Sequence, residues 1–345
     1  MKYSIGYQLP DEYFSVYELC RNYGDKVSDV YFSFSDEPSG RFSLSGSDEK
    51  EAEEIKELQL EELSEIKKLG KTLTLLYNAN CYGGGAVSKT LAEHILSLTA
   101  FLKKELDIDH ITTTSPFIAE IVKKEFADSI KLRASVNMRI GTVAAMEQLS
   151  EYFDGFYMQK ECNRNFGQIE KLSDWCNKNG KKLHILANSG CMQNCAFQTF
   201  HDNLIAHGVG EKTDDNVNMG YSAPCHKYLS GLGVERGIAS FMQSNWIRPE
   251  EVHMYEKYFD EMKLATRMHS RPAMVLAAFA RGKFSGNLLD LTEPSYSSLF
   301  KGYILDNTRI PEDWFLSASS CGKNCDVCNI CNSAIKQAVY KIQQN

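Results

Sequence analysis

The 345-residue sequence predicts an α/β fold of the (β/α)8 TIM-barrel class, followed by a cysteine-rich C-terminal extension. Three observations carry this expectation. Eight short β-rich apolar runs alternate with longer amphipathic runs over about 280 residues, which is the arithmetic of a barrel. Polar side chains recur just past the carboxyl ends of those runs, where a barrel gathers its chemistry. No Gly-x-Gly-x-x-Gly follows the first run, which weakens the dinucleotide-binding form of the runner-up, a doubly wound open sheet.

The strand candidates in order are Tyr3–Tyr7, Val27–Phe34, Thr72–Tyr77, His110–Thr114, Lys131–Val136, Gly155–Gln159, Lys182–Ala187 and Ile238–Trp246. Each is short, rich in β-branched and aromatic residues, and bounded by turn formers or charge. Helices are expected between them. Ser47–Lys68 is acidic with Leu and Ile at helical spacing. Ser88–Leu106 opens on a Ser cap and sets Leu91, Ile95, Leu98 and Leu102 on one face. Pro116–Phe126, Thr142–Tyr152, Gln168–Asn179, Pro249–Phe259 and Arg271–Arg281 complete the set. The Tyr82-Gly83-Gly84-Gly85 run after the third strand reads as a plain turn. The barrel is expected over residues 1–285 and a loop-rich extension over 286–345, ending in a short helix, Ser333–Gln343.

Hydrophobic residues make up 43% of the chain and charged residues 24%, the balance of a globular protein with a sizeable core. The net charge of −7 argues against broad binding of a phosphate backbone, leaving nucleic acid the weaker substrate class, while a local basic pocket for an anionic metabolite stays open. The first residues carry no long apolar segment, and nothing elsewhere is apolar enough to span a bilayer. A cytoplasmic location is therefore expected. In that reducing compartment, eleven cysteines read as thiols, metal ligands or redox groups.

Seven of the eleven are spaced like metal ligands. Cys191-x₃-Cys195 lies past the seventh strand with Cys225 downstream, and Cys321, Cys325, Cys328 and Cys331 crowd near the end. Thiolates two or three residues apart can face one soft metal centre without backbone strain, so an iron–sulfur cluster is expected ahead of zinc. The mid-chain group supplies three thiolates where a cubane takes four. Cys81, Cys162 or Cys321 are candidates for the fourth. Cys325-x₂-Cys328-x₂-Cys331 repeats the three-ligand run of bacterial ferredoxins, and a Cys₄ zinc site is the alternative for this tail. Cys321-x₃-Cys325-x₂-Cys328 also has radical S-adenosylmethionine spacing, but it follows the whole barrel and has Val327 where an aromatic is usual.

The polar strand-end residues are Asn78, Asn80, Asn137, Arg139, Gln159, Lys160, Glu161, Arg164, Asn188 and Arg248. Asn and Arg in that position suit an anionic, oxygen-rich substrate, since guanidinium binds carboxylate in a bidentate fork. His201, Asp202, His207 and His226 flank the mid-chain cysteines. They read either as proton-relay groups or as hydrogen-bond partners of thiolates. No Gly-x-Ser-x-Gly, His-Glu-x-x-His or Walker-type run occurs.

The pattern resembles the collagenase-like peptidase family U-32 at three places. These are Met158-Gln159-Lys160-Glu161-Cys162-Asn163-Arg164-Asn165, the strand Leu183–Ala187 running into Asn188-Ser189-Gly190-Cys191, and Pro224-Cys225. Ile185 stands where the family usually has Glu, and the usual two-residue gap between Gly190 and the first cysteine is absent, so the match is that of a divergent branch. The resemblance implies a barrel-like domain whose cysteines hold a 4Fe–4S cluster. It also implies either peptidase activity or oxygen-independent hydroxylation, in some members of RNA bases or the ubiquinone ring.

The expectation that follows is an iron–sulfur-dependent oxidoreductase that tailors a small, conjugated or carrier-bound substrate. The catalytic candidates are Arg139, Arg164, Asn188, His201 and Asp202. The main cluster is assigned to Cys191, Cys195 and Cys225 with Cys321, and a second is open to Cys325, Cys328 and Cys331. An electron-donor protein and a paired homologous subunit are the candidate partners. The competing classes are a cluster- or zinc-stabilised electron-transfer module and a peptidase.

Overall fold

The computed structural model describes residues 1–35, 37–41, 49–207 and 224–342. Eight parallel strands close into a barrel in chain order, with β1 hydrogen-bonded to β8. The first seven are β1 (Lys2–Gly6), β2 (Val27–Phe32), β3 (Thr72–Tyr77), β4 (His110–Thr113), β5 (Lys131–Ala134), β6 (Gly155–Tyr157) and β7 (Lys182–Leu186). They match the expected runs to within two residues at most ends. Helices α1 (Val16–Tyr23), α2 (Glu49–Lys68), α3 (Lys89–Leu106), α4 (Pro116–Phe126), α5 (Val143–Leu149) and α6 (Phe166–Lys178) form the crossovers. Their starts are set by local chemistry. Ser15, Ser88, Ser115, Thr142 and Asn165 each accept a hydrogen bond from a first-turn backbone N–H, and Pro116 occupies the first turn of α4. Ile95, Thr99, Leu102 and Leu106 of α3 turn inward, while Leu91 and Leu98 sit at the edge of the same face.

The eighth unit departs from the expectation. Ile238–Trp246 is not a strand. Its apolar residues belong to a helix, α9 (Val234–Gln243), whose Ile238, Phe241 and Met242 follow helical spacing onto one buried face. The real eighth strand, β8 (Glu261–Lys263), is three residues long and largely charged. Its composition makes sense only inside the barrel. There Asp29 accepts hydrogen bonds from Ser4 (2.6 Å), Thr72 (2.8 Å) and Thr74 (2.7 Å), with Arg133 and His110 each 3.9 Å away and Arg133 also 3.8 Å from Glu261. Burial raises the Asp29 carboxyl, but Arg133, His110 and the hydroxyl donors outweigh it and hold the group below its usual range. Burial and the neighbouring Asp29 push Glu261 up.

The chain between β7 and β8 replaces a single crossover helix by α7 (Gln198–His207), α8 (Pro224–Gly231), α9 and a 3-10 segment, Pro249–Tyr255, where an α-helix was expected. After β8 comes the expected helix α10 (Pro272–Arg281), ended by Gly282 at φ 63°. The tail then adds β9 (Tyr303–Leu305), α11 (Trp314–Ser320), α12 (Ile330–Ala338) and β10 (Val339–Lys341). The helix expected over Ser333–Gln343 thus ends at Ala338, because Val339–Lys341 pairs antiparallel with β9. The tail is fastened to the insertion. A Cβ on Gly237 of α9 would stand 2.5 Å from the Phe300 ring, and Trp314 of α11 stacks on Trp246.

Candidate active site

A cavity of about 1590 Å³, its open mouth included, sits over the carboxyl ends of the strands. Cys191, Cys195 and Cys225 all line it. The loop after β7 delivers the first two. Gly190 hydrogen-bonds Glu293 O through its N–H (2.9 Å), and a Cβ there would stand 2.4 Å from Pro294 O, so only glycine lets this loop lie against the tail. Asn194, at φ 50°, turns the chain back toward Cys195. Cys225 opens α8 just behind Pro224. Burial raises the Cys195 thiol, and burial together with Cys191 and Cys195 pushes Cys225 up to about 11. The three sulfurs thus feel one another, and a cation or metal is what would let them ionise together.

Cations line the same cavity. Arg41, Arg139, Lys160, Lys263 and Arg267 all reach the cavity. Arg41 pairs with Glu293 at 3.4 Å, and Arg139 with Asp202 at 3.5 Å. Asp202 also accepts from Asn80 (3.1 Å). Arg267 donates to Ser33 (3.0 Å) and Ser39 (3.1 Å). Lys263 at the end of β8 is packed with its ammonium 3.7 Å from the Tyr31 ring centre. Burial lowers it to about 7, helped by Arg267 and Arg133 and opposed by Asp29. Burial also lowers His201 and His226, His201 further through Arg41, so both imidazoles are neutral near pH 7. Asn78 and Asn137 line the mouth as expected. Gly40 donates to Asn78 (3.0 Å), and a Cβ on Gly40 would stand 2.5 Å from Asn137 Nδ2.

Of the sequence-derived catalytic candidates, Arg139, His201 and Asp202 are brought together here. Asn188 is fully buried beneath the cavity. It accepts from Ala265 N–H (2.6 Å) and donates to Ala265 O (3.2 Å) and Leu291 O (3.0 Å), which makes it a clamp between β7, β8 and the tail. Arg164 lies elsewhere. It is sandwiched between Trp246 (4.9 Å) and Trp314 (4.7 Å) and donates to Met242 O and Trp246 O, so its side chain turns to the insertion while Lys160 and Glu161 of the same β6–α6 turn line the mouth. Arg248 is likewise spent on Glu251 at 2.6 Å. Cys321 is grouped with Cys325, Cys328 and Cys331 around a separate small cavity, and so stands apart from the mouth thiols. Cys81 and Cys162 are also outside the mouth lining; Cys81 accepts from Gly83 N–H (3.4 Å) and Cys162 from Gln159 (3.5 Å). His207 ends α7. Arg41, Lys263, Arg267, Glu293 and Tyr296 were not foreseen. Recognising Glu261–Lys263 as the last strand would have placed Lys263 and Arg267 at its carboxyl end.

Among the described residues, no three His, Cys, Asp or Glu side chains are gathered around a single-ion position. A tetrahedral zinc site would hold its sulfurs about 3.8 Å apart, given Zn–S bonds of about 2.3 Å, whereas a cubane spreads them wider around an open space. The thiols at the mouth border an open cavity, and three cysteines are a donor set that either kind of centre could draw on.

No protein-family model matches the chain. An uncharacterized protease of Methanocaldococcus jannaschii is 23% identical over 288 residues, covering 79% of each chain. A solved U32 peptidase superposes with a TM-score of 0.53 at 14% identity, over 76% of this chain and 92% of that one. The chain is thus similar in sequence to that protease and in fold to the U32 peptidase. At this identity the structural likeness to the U32 peptidase is one of fold. Among the described residues no helix is long and apolar enough to cross a membrane.

Proposed function

We propose that the chain is an iron–sulfur enzyme that performs oxygen-independent redox tailoring, of hydroxylation type, on a small anionic or conjugated substrate at the barrel mouth. The observation that carries this reading is the convergence of Cys191, Cys195 and Cys225 on a substrate-sized cavity that cations also line. In it the three thiolates would hold a 4Fe–4S cluster, which would supply one-electron chemistry. The remaining roles belong to the chain's own side chains. Arg139 and Arg267 orient acidic groups of the substrate, and Arg41 with Lys160 offset the negative charge of the thiolates. Lys263, poised near neutrality, holds or releases a proton at its Nζ at the cavity floor. Neutral His201 and His226 are available as donors or acceptors.

The open cavity favours an enzyme over a closed electron-transfer module. A peptidase is the reading drawn from the relative's name; it requires cleavage of unstructured peptides that survives loss of iron. The test is anaerobic purification of the chain and of a Cys191→Ser, Cys195→Ser double variant. The redox reading expects a brown protein with broad absorption near ~400 nm, and a double variant that has lost the mouth centre's share of the iron and of that absorption. Equal iron in both proteins would remove these cysteines as ligands.

A further inference from the structure

The second cysteine group is joined to the first by a continuous strip of buried rings. We propose that Cys321, Cys325, Cys328 and Cys331 hold a second iron–sulfur cluster, and that Trp314, Trp246, Phe241 and Tyr296 form the electron path between it and the mouth thiols. The path rests on the reading of the mouth as a redox centre; the second site does not.

The site is built for an anionic, sulfur-rich group. All four cysteines line one cavity between α11, α12 and the end of α9, together with Arg164 and Lys323. The buried Arg164 and the half-buried Lys323 suit the net negative charge that a four-thiolate cluster carries. Among the described residues neither side chain pairs with a carboxylate: Arg164 donates to Met242 O and Trp246 O, and Lys323 to Asn245 Oδ1 (3.1 Å) and Ala318 O (3.2 Å). Burial draws Arg164 down to about 10 while Cys331 and Cys321 act to keep it charged, so it remains a cation at neutral pH. Two donors beside the cavity are buried without a partner, Trp314 Nε1 and Asn245 Nδ2. Burial raises the Cys331 thiol, with Arg164 and then the neighbouring Trp314 acting the other way. Unpaired donors of this kind are costly in a closed core and are the groups that bond cluster sulfurs.

The strip leads from this site to the other. Trp314 stacks on Trp246 with ring centres 5.9 Å apart and an interplanar angle of 29°. Trp246 stacks on Phe241 at 5.0 Å and 27°, and Phe241 meets Tyr296 at 5.1 Å. All four rings are at most 2% exposed. Tyr296 lines the mouth cavity, where Cys191, Cys225 and Cys195 all bear on its hydroxyl. In one transfer an electron leaves the reduced quartet centre, which is thereby oxidised, and enters the oxidised mouth centre, which is reduced. No bond or proton moves, and a low-potential one-electron donor restores the quartet.

The test uses the full chain reconstituted anaerobically with iron and sulfide, with dithionite as donor. Iron content, electron paramagnetic resonance and stopped-flow absorbance are read together. The wild-type chain is expected to hold about eight irons, and a Cys325→Ser, Cys328→Ser variant about four, with the mouth signal kept. Phe241→Leu should retain all the iron but lose the fast phase of mouth reduction, while Phe241→Tyr keeps it. Both variants preserve the Phe241 carbonyl that accepts from Trp246 Nε1. A wild-type chain whose iron is unaffected by the quartet substitutions, or a quartet that retains only zinc, overturns the second site. An unchanged fast phase in Phe241→Leu overturns the path. Iron content undiminished in Cys191→Ser with Cys195→Ser overturns the mouth reading and the path with it, and leaves the quartet count to stand by itself.

Discussion

Asn188 offers a direct way to separate a structural clamp from a substrate ligand. Its side chain serves three backbone groups, the N–H and C=O of Ala265 and the C=O of Leu291, all in a fully buried environment. Asn188→Ala strands them, and no other partner for these three groups is present among the backbone bonds of the loops. An unsatisfied buried polar group costs about 1–3 kcal/mol, and partial relaxation brings the expected loss for the set to about 3–5 kcal/mol. With an unfolding entropy of about 2.1 cal/mol/K per residue over this length, Tm falls by about 4–7 °C. Calorimetry or thermal circular dichroism at fixed iron loading reads the shift. Asn188→Asp keeps the acceptor for Ala265 N–H but loses both donations and buries a charge, so it should not rescue stability. A Tm within about 1 °C of wild type for Asn188→Ala would refute the clamp, because an accessible substrate ligand costs little when removed.

Further outcomes follow from the same geometry. Lys263 has a folded pKa of about 7, against an ordinary value of 10.5, so the unfolded chain binds its proton first as pH falls. Its contribution to stability is therefore greatest above 10.5 and is lost progressively down to about 7, and Lys263→Met should flatten urea-unfolding stability against pH across that window. Gly237→Ala forces a Cβ to 2.5 Å from the Phe300 ring and should cost about 1–3 kcal/mol despite its better helix propensity, with faster proteolysis of the tail as the readout. Arg164→Leu removes the donor to Met242 O and Trp246 O along with two ring contacts, and should lower stability by about 2–4 kcal/mol in urea titration while leaving the mouth thiols able to bind iron.

Seven of the eight barrel strands were legible because each carries buried apolar or aromatic residues along a short run and their helices are capped by Ser, Thr or Asn at regular positions. Glu261–Lys263 was not legible. Its charges are matched by Asp29, Arg133 and ring faces that come together only when the barrel closes, so no local pattern marks it. Ile238–Trp246 misled for the converse reason: a short apolar stretch reads as strand or helix alike, and what decides it is the packing of Phe300 and the tail on α9. At the site, thiol spacing identified both cysteine groups, and Arg139, His201 and Asp202 fell where strand-end reasoning put them. Arg164 did not, since a strand-end position specifies height in the barrel and not whether a long side chain turns toward the mouth or toward an inserted helix. Arg41 and Glu293 lie in loops distant in sequence, and only their ion pair across the cavity reveals them.

The central claim is that Cys191, Cys195 and Cys225 hold a redox-active iron–sulfur centre in the barrel mouth. Iron and sulfide stoichiometry, with paramagnetic resonance before and after reduction, tests it on anaerobic wild-type chain and on Cys225→Ser. The account expects a reducible cluster signal assigned to the mouth, with about four irons lost in the variant. Wild-type protein that binds neither iron nor sulfide under these conditions, or a Cys225→Ser chain with unaltered iron and spectrum, would contradict it.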